Sequence, residues 1–395
     1  MRTTAGSARI ACVFGTRPEV IKMAPVVHAL RAVAEDVEAR ICLTGQHREM
    51  VQPLLELFDL VPDADLALMR PNQSLGDLTA RAVTAVDAWL SKERPDLVLV
   101  QGDTTTAFCT ALAAYYRGVP VAHVEAGLRT GNIRSPFPEE ANRAMISRIA
   151  SLHFAPTDGN RDTLLGEGVA PDAVVVTGNT VVDALQQTVA RLRQGTVQLP
   201  AETRRLLDEL GHRRVVVITG HRRENFGARL ESICGAVREL AACHPTVEFV
   251  FPVHLNPNVR APVTRILGAG DNRPANLRLI EPLSYLSFVA LMERAYLLLT
   301  DSGGIQEEGP ALGRPVLVMR DYTERPEGVA AGCVRLVGTW ADRIIEETTR
   351  LLDDPAAYAG MAAAVSPYGD GRAGGRIAQA CLAFLNGVSQ TTVRA

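Results

Sequence analysis

The segment AYLLLTDSGGIQEEG (295–309) has the residue types of a turn that binds a diphosphate. An apolar strand is followed by Ser302, Gly303 and Gly304, which lead into a predicted helix that bears Glu308. Glycines let the backbone approach a ligand closely, and the amides at a helix start favour phosphate oxygens. A carboxylate one turn further on would repel phosphate, but it could accept hydrogen bonds from ribose hydroxyls. The alternative is an ordinary strand-to-helix turn, since loose glycine motifs often mislead.

Carboxylates follow consecutive predicted strands in the first half of the chain. Asp103 ends DLVLVQGD, Glu125 ends VPVAHVEA, and Glu139 lies at a later helix start in SPFPEEANR. Neighbouring acids can shift each other's pKa, so that one stays an ionised base while another holds a proton. Asp103 could instead be the N-cap of the helix that begins at Thr104, because aspartate is a preferred capping residue. These acids are candidates for proton transfer.

Cations and histidines also lie at predicted strand ends. Arg17 and Lys22 stand on either side of Pro18, which suits a first helical position, so both could meet an anionic ligand or form a solvated surface pair. His221 begins GHRREN directly after a strand, and His254 ends VEFVFPVH. A lone histidine is more often structural, but two at corresponding strand ends favour a function.

The composition and motifs argue against several classes of function. The net charge of −3 and 5% aromatic content give little basis for binding nucleic acid. No apolar run approaches the roughly 18 residues of a membrane span, and no signal peptide is evident, so we expect a cytoplasmic protein. The seven cysteines form no C-x-x-C pair, and no metal-binding spacing occurs. The G-x-G-x-x-G match at 369–374 follows no strand, so it does not indicate a dinucleotide site. We therefore expect no metal ligation.

Strand-like and helical patterns alternate along the chain, which is typical of parallel βαβ units. The series restarts after a polar bridge at 190–212, so the sequence predicts two doubly wound α/β domains. We place the first at 1–180, joined by a C-terminal helix at 370–390, and the second at 181–369. Ligands of open α/β sheets bind beyond the carboxyl ends of the strands, where the polar clusters lie. We therefore predict an active site in the cleft between the domains.

Nine sequence blocks together resemble the non-hydrolysing UDP-N-acetylglucosamine 2-epimerases, over residues 8 to about 385. They are FGTRPEVIKMAP (14–25), TGQHREM (44–50), GDTTT (102–106), HVEAGLRTG (123–131), PFPEEANR (136–143), GHRREN (220–225), PVHLNPNVR (252–260), TDSGGIQEE (300–308) and TERPEG (323–328). The resemblance implies two Rossmann-like domains in a glycosyltransferase-B-like arrangement. It also implies a homodimer that needs no cofactor and interconverts UDP-GlcNAc and UDP-ManNAc, by elimination of UDP to 2-acetamidoglucal and re-addition.

The resemblance further implies roles for the residues at matching positions. The catalytic set is Asp103, Glu125, Glu139 and His221. The substrate-binding set is Arg17, Lys22, Arg143, Leu283, Phe288, Ser302, Gly303, Gly304, Glu308 and Arg325. Within the second set, Glu308 takes the ribose hydroxyls and the segment from Leu283 to Phe288 packs on the uracil. Which carboxylate serves which face of carbon 2 stays open.

A regulatory second UDP-GlcNAc site is implied by the resemblance to bacterial members. The matching residues are Gln46, Gln73, Glu139, Arg222 and His254. Asn72 stands where some members have arginine, which argues against allosteric activation in this chain. Gln46 and Gln73 could equally be polar loop residues, so both interpretations stay open.

Three other functions compete with epimerisation that retains UDP. A hydrolysing epimerase would release UDP and free ManNAc from much the same cleft. A retaining glycosyltransferase also presents a glutamate to the ribose, but it needs an acceptor site. A sugar-nucleotide-binding regulator would bind the ligand without turnover. The pathway served and the preferred N-acyl group do not follow from the sequence.

Overall fold

The computed structural model describes residues 7–33, 37–45, 48–70, 72–268 and 273–393. The chain divides into two compact units. The first unit combines Met1–Ala184 with Gly369–Ala395, and the second is Leu185–Tyr368. The first unit is therefore assembled from two separate stretches of chain.

Each unit contains one parallel sheet in the described part of the chain. The strands of the first unit are β1 (Ala8–Phe14), β2 (Val37–Leu43), β3 (Ala64–Asp65), β4 (Leu97–Gln101), β5 (Val121–Val124), β6 (Leu152–Ala155) and β7 (Val174–Val176). Those of the second are β8 (Val215–Thr219), β9 (Glu248–Pro252), β10 (Leu277–Ile280), β11 (Leu297–Thr300), β12 (Val316–Val318) and β13 (Val334–Leu336). Strands such as β4 are buried along their whole length, as expected of a parallel sheet that is covered on both faces.

The strand order is that of a doubly wound fold in both units. The order is β3-β2-β1-β4-β5-β6-β7 in the first unit and β10-β9-β8-β11-β12-β13 in the second. The direction of winding reverses between β1 and β4, and again between β8 and β11, which is the topological switch point of a Rossmann-like sheet. The prediction of two Rossmann-like α/β units is therefore confirmed.

Helices connect the strands. They are α1 (Arg17–Ala32), α2 (Arg48–Leu57), α3 (Leu75–Glu93), α4 (Thr105–Tyr116), α5 (Glu139–Ile149), α6 (Asp158–Gly166), α7 (Thr180–Arg193), α8 (Ala201–Leu210), α9 (Ala228–Cys243), α10 (Pro257–Leu267), α11 (Tyr285–Arg294), α12 (Ile305–Ala311), α13 (Pro326–Ala330), α14 (Ala341–Asp353), α15 (Pro355–Ala362) and α16 (Ala373–Val393). Short 3₁₀ helices lie at Pro171–Ala173 and Arg223–Asn225. Among the described helices, none is both long and apolar enough to cross a membrane.

The last helix, α16, packs against α1 in the first unit. A Cβ atom added at Gly374 would lie 2.7 Å from the carbonyl oxygen of Pro25, so the two helices approach closely only because this residue is glycine. The start of α16 is held by Asp183, whose carboxylate accepts a hydrogen bond from the Gly374 amide at 2.8 Å. Arg376 adds a bond to the Thr177 carbonyl at 3.0 Å. The helix therefore completes the first unit.

We expect Gly374→Ala to destabilise the protein, because its methyl group would push α16 away from α1. Overpacking of this kind costs about 1–3 kcal/mol. Gly375→Ala is the matched control, since a Cβ atom there meets nothing within 4 Å and alanine suits a helix better than glycine. Urea unfolding followed by circular dichroism measures both variants. Equal unfolding midpoints for the two variants would show that a methyl group at residue 374 fits beside Pro25 without cost.

Candidate active site

The residues singled out in the sequence lie in turns that follow strands or in the first two turns of the helices beyond them. At the switch points of the two sheets are the turns after β1 and β4 in the first unit and those after β8 and β11 in the second. Helices diverge to opposite faces of a sheet at this point, which opens a crevice for ligands. The topology therefore explains why polar residues at these strand ends share a neighbourhood within each unit.

Glu19 joins the two central turns of the first unit. Its side chain is 2% exposed, and its carboxylate accepts hydrogen bonds from the amides of Gly15 at 2.8 Å and Thr16 at 2.7 Å. It also accepts a bond from the Thr104 hydroxyl, at 2.6 Å, in the turn after β4. Burial raises the pKa of Glu19, although these donors oppose the shift. Glu19 was not among the predicted site residues, and its signal in the sequence is the capping-box spacing from Thr16 to Glu19.

Glu125 is held by donors from three segments of the first unit. Lys22 contacts both carboxylate oxygens through Nζ, at 2.6 and 2.5 Å. The Asn179 amide donates to Oε1 at 3.0 Å, and the Gln101 amide donates to Oε2. A charged carboxylate offers only acceptor sites, so this arrangement suits the ionised form. The structure thus places Lys22 against a predicted catalytic acid.

The backbone of Glu125 is unusual. Its φ is +64°, in the left-handed region that residues other than glycine, asparagine and aspartate seldom occupy. Such strain persists only where the surroundings impose it, and it is concentrated at functional sites. The donors to its carboxylate account for how the residue is held in place.

Gln101 and Asn179 were missed by the sequence analysis. Both side chains are buried, at 3% and 2% exposure. The Asn179 oxygen accepts a bond from the Val181 amide at 3.1 Å, which fixes which end of the side chain faces Glu125. Gln101 has one local signal in the sequence, since it is the polar residue that ends the apolar run LVLV (97–100).

Asp103 does not cap the helix that follows it, so the capping alternative was wrong. Thr104 is the N-cap of α4, and its hydroxyl accepts the hydrogen bond from the Ala107 amide at 3.0 Å. The Asn142 amide holds the backbone carbonyl of Asp103 at 2.8 Å. The Asp103 carboxylate is therefore not engaged in capping α4.

The pKa of Asp103 is raised to about 6. Burial is the main cause, and the negative charges of Glu125 and Glu139 add to it. Arg143, whose Nε lies 3.4 Å from the carboxylate, and Lys22 oppose the shift. Asp103 can therefore hold a proton near neutral pH, as a general acid or base must.

The adjacent acids at the start of α5 differ in their surroundings. Glu139 is half-buried at the first position of the helix. Glu140 is 4% exposed and accepts bonds from the amides of Thr130 at 3.0 Å and Gly131 at 3.1 Å. Glu140 also lies 3.3 Å from Arg143, which is itself buried. Glu140 thus anchors a loop, and the structure brings Glu139 and Arg143 together with Asp103.

Arg17 begins α1 in the first unit. It is half-buried and is the first helical residue, so it belongs to the helix rather than to the preceding loop. Pro18 is therefore the second helical residue, whereas the sequence predicts it as the first, although proline is tolerated throughout the first turn of a helix.

In the second unit, His221 and His254 lie side by side. Their rings stack with centroids 5.8 Å apart and planes inclined by 27°. The Nδ1 atom of His221 is 3.3 Å from the carboxylate of Asp301. Burial lowers the pKa of His221, and the nearby charges of Arg222, His254 and Arg320 lower it too, whereas Asp301 opposes the shift.

Two guanidinium groups flank Gly303. A Cβ atom added there would lie 2.8 Å from Nη1 of Arg325 and 3.3 Å from Nη2 of Arg222. Glu307 pairs with Nε of Arg325 and so fixes that guanidinium. The buried Nε of Arg222 has no hydrogen-bond partner among the described residues. Any side chain at Gly303 would displace these cations, and the arrangement suits an anionic group.

The loop before α12 differs in one detail from the expected amide cradle. The Ser302 amide donates to the Thr300 hydroxyl at 2.9 Å, which leaves the amides of Gly303 and Gly304 as candidate donors to a ligand. Glu308 is 9% exposed, and its carboxylate lies 3.5 Å from where a Cβ of Gly304 would be.

The remaining predicted residues of the second unit lie around the start of α11. Leu283 and Phe288 are both half-buried. Ser284, between them, caps the helix by accepting a bond from the Ser287 amide at 3.2 Å.

The candidates for a second ligand site belong to both units of the chain. Gln46 lies outside the described residues. Gln73 binds the Arg70 amide at 3.2 Å and the Arg81 guanidinium, so its side chain is tied to its own segment. Arg222 and His254, in contrast, lie beside Gly303 and His221. In the part of the chain that the structure describes, no cluster of histidine, cysteine and acidic side chains is arranged as metal ligands.

Known proteins resemble this chain over nearly its whole length. A model of the UDP-N-acetylglucosamine 2-epimerase family matches residues 29–382. The chain is 55% identical to a probable UDP-N-acetylglucosamine 2-epimerase of Ralstonia nicotianae over 377 residues, covering 95% of this chain and 99% of the relative. It is 52% identical to the UDP-N-acetylglucosamine 2-epimerase of Escherichia coli K12, with 94% and 98% covered.

Solved structures give the same result. The crystal structure of the Neisseria meningitidis UDP-GlcNAc 2-epimerase bound to UDP-GlcNAc has a TM-score of 0.86 and 46% identity, covering 95% of this chain and 99% of that one. The glycosyltransferase SnogD from Streptomyces nogalater, at 16% identity and a TM-score of 0.55, covers 98% of this chain and 99% of its own. This second likeness concerns the fold alone, and it supports the glycosyltransferase-B-like assignment.

We expect Asp103→Asn to stabilise the protein at neutral pH. The folded pKa of about 6 lies above the ordinary value of 3.8, so the folded state binds the proton more tightly than the unfolded state does. The contribution of Asp103 to stability is therefore lost as pH rises from about 4 to 6. The variant should gain over the wild type above this range and little below it, as measured by urea unfolding at both ends.

Asp87→Asn is the matched control, because a hydrogen bond from Arg117 lowers the pKa of this exposed carboxyl. Its effect should be small and of the opposite sign. A gain for Asp103→Asn that did not change with pH would contradict the assignment.

Proposed function

Because the chain belongs to the UDP-N-acetylglucosamine 2-epimerase family, we propose that it interconverts UDP-GlcNAc and UDP-ManNAc without net release of UDP. It is an isomerase. The observation that best supports the proposal is the cluster of Asp103, Glu125 and Glu139, which combines an acid of raised pKa with a carboxylate held by donors.

The reaction proceeds by elimination and re-addition. Carbon 2 of the sugar has no adjacent carbonyl, so its proton is hardly acidic and direct deprotonation needs help. In the first step, a base takes this proton, a double bond forms between carbons 1 and 2, and the carbon 1–oxygen bond breaks with its electron pair going to UDP. In the second step, 2-acetamidoglucal is protonated at carbon 2 on the other face, and a diphosphate oxygen of UDP attacks carbon 1.

The first unit supplies the proton-transfer groups of this scheme. Asp103, Glu125 and Glu139 exchange the carbon 2 proton, and Lys22 keeps the Glu125 carboxylate charged and oriented. A base and an acid with separated proton affinities can act on opposite faces of one carbon. Arg143 balances the charge of Asp103, from which it lies 3.4 Å.

The second unit supplies the leaving-group site. Arg325 and Arg222 neutralise the diphosphate together with the Gly303 and Gly304 amides, and His221 stabilises the departing oxygen. Preorganised cations and amides of this kind lower the barrier where charge develops. Glu308 accepts bonds from the ribose hydroxyls, and Leu283 and Phe288 contact the uracil. Arg17, in the first unit, is a further cation that we assign to substrate binding.

A proton NMR time course in heavy water tests the function. Purified protein is incubated with UDP-GlcNAc, without added cofactor or metal, and the anomeric and carbon 2 signals are followed. We expect UDP-ManNAc with deuterium at carbon 2, because the proton exchanges with solvent while it is off the sugar.

Other outcomes of this time course identify the competing functions. Free ManNAc with UDP would show the hydrolysing reaction instead. Transfer of the sugar to an added acceptor would indicate a glycosyltransferase, and binding of UDP-GlcNAc with an unchanged spectrum would indicate a regulator. Each of these would overturn the proposal.

We expect Glu125→Gln to leave UDP binding largely intact and to cut turnover by about 10²- to 10⁴-fold, the range typical of a lost acid or base. Calorimetry gives the UDP affinity, and the NMR assay gives the rate. Glu38→Gln is the control in the same unit. Glu38 is a partly exposed residue near the start of β2, where it pairs with Arg9. A rate near that of the wild type for Glu125→Gln would refute its role in proton transfer.

A further inference from the structure

A buried carboxylate in the second unit has no role in the scheme above. Asp301 directly follows β11 and is 1% exposed. Taking a charged carboxylate out of water is costly unless donors satisfy it. Its partners therefore indicate what it does.

Those partners belong to the turn after β8. The His221 amide donates to both carboxylate oxygens, at 3.1 and 3.0 Å, and the Arg222 amide donates to Oδ2 at 2.9 Å. The Asn225 side chain adds a bond to Oδ2 at 3.0 Å and also binds the Met319 carbonyl at 3.2 Å. Asp301 thus anchors the backbone of the whole turn.

The tethered residues carry the side chains that face the anion site. Arg222 extends its guanidinium to Gly303, and the His221 ring lies 3.3 Å from the Asp301 carboxylate through Nδ1. With Nδ1 facing the carboxylate, Nε2 is the atom left to face a ligand. A small rotation of this turn would move both side chains at once.

We propose that Asp301 is a positioning residue that sets His221 and Arg222 for the departing diphosphate. The inference rests on the proposed function, because it concerns the same leaving-group site. Asp301 touches no substrate atom in this scheme and acts through the two residues that it holds.

Because Asp301 is charged, the positioning role also predicts a change in the pH dependence of activity. The groups that face His221 are Asp301, which raises its pKa, and Arg222, His254 and Arg320, which lower it along with burial. In the substrate complex the diphosphate adds negative charge, which favours protonated His221. If this form stabilises the leaving group, activity falls as pH rises through the pKa of His221. Loss of the Asp301 charge moves that fall to lower pH.

The test is Asp301→Asn in the full chain, which keeps the shape but turns one acceptor oxygen into a donor that meets amide N–H groups. We expect kcat to fall about 100-fold, as for a misplacement of about 1 Å, with a smaller change in KM. The alkaline limb of the kcat profile should move down by about one pH unit. Combined with His221→Asn, the loss should be less than the product of the two single losses.

Asp342→Asn is the matched control, because Asp342 is exposed in the first turn of α14. A kcat within about threefold of the wild type, which is under 1 kcal/mol in the barrier, would overturn the proposal. So would a large loss of kcat with an unmoved pH profile, since that indicates general structural damage.

Asn225→Ser tests the same anchor if Asp301→Asn does not fold. It removes one bond to Asp301 and keeps the charge, so kcat should fall about tenfold, as for one lost hydrogen bond to a charged group, with the pH profile unmoved. An unchanged kcat would overturn the proposal.

Calorimetry with UDP separates this inference from the proposed function. If the wild type binds UDP but shows no epimerisation, the proposed function fails. In that case the positioning role is judged by UDP binding alone. Weaker binding by Asp301→Asn than by Asp342→Asn would support the role, and equal binding would refute it.

Discussion

Both sheets depend on a buried carboxylate that ties together the turns after their two central strands. In the first unit, Glu19 comes from α1 and binds the turn after β1 together with Thr104 after β4. In the second unit, Asp301 comes from the turn after β11 and binds amides of the turn after β8. At a switch point the flanking helices diverge, so the amides of these turns have no neighbouring strand to pair with. In each unit a buried carboxylate satisfies these amides. In the first unit it follows the earlier central strand, β1, and in the second it follows the later one, β11.

The units differ in the charge that surrounds these anchors. The first unit gathers acids, since burial raises the pKa of Asp103, and Lys22 and two amides hold the nearby Glu125 carboxylate. The second unit gathers guanidinium groups around Gly303, where the lack of a side chain leaves them room. The proposed proton transfer and the proposed leaving-group stabilisation require opposite electrostatics, and the two units provide such a contrast.

Local sequence patterns predicted much of the fold, because apolar strands that end in polar residues recur along the chain. They missed β13 and also β3, which has only two residues. They did not separate Asp103 from Thr104 as the cap, since both residue types cap helices. Candidate site residues could be predicted where a charged or polar residue directly follows an apolar strand. Asn179 was not, because it reaches Glu125 across 54 residues, and contacts of that kind follow from tertiary structure alone.

The first unit is built from two separate stretches of chain, and this affects the order in which it can fold during synthesis. The helix α16, which packs on α1, is translated only after the whole of the second unit, whose residues Leu185–Tyr368 are contiguous. Domains tend to fold as they emerge from the ribosome, in order from the N-terminus. Here the unit that begins first is completed last, so the nascent chain exposes the apolar face of α1 throughout synthesis of the second unit. Chaperones that shield hydrophobic surface would act on that face until the last helix has left the exit tunnel.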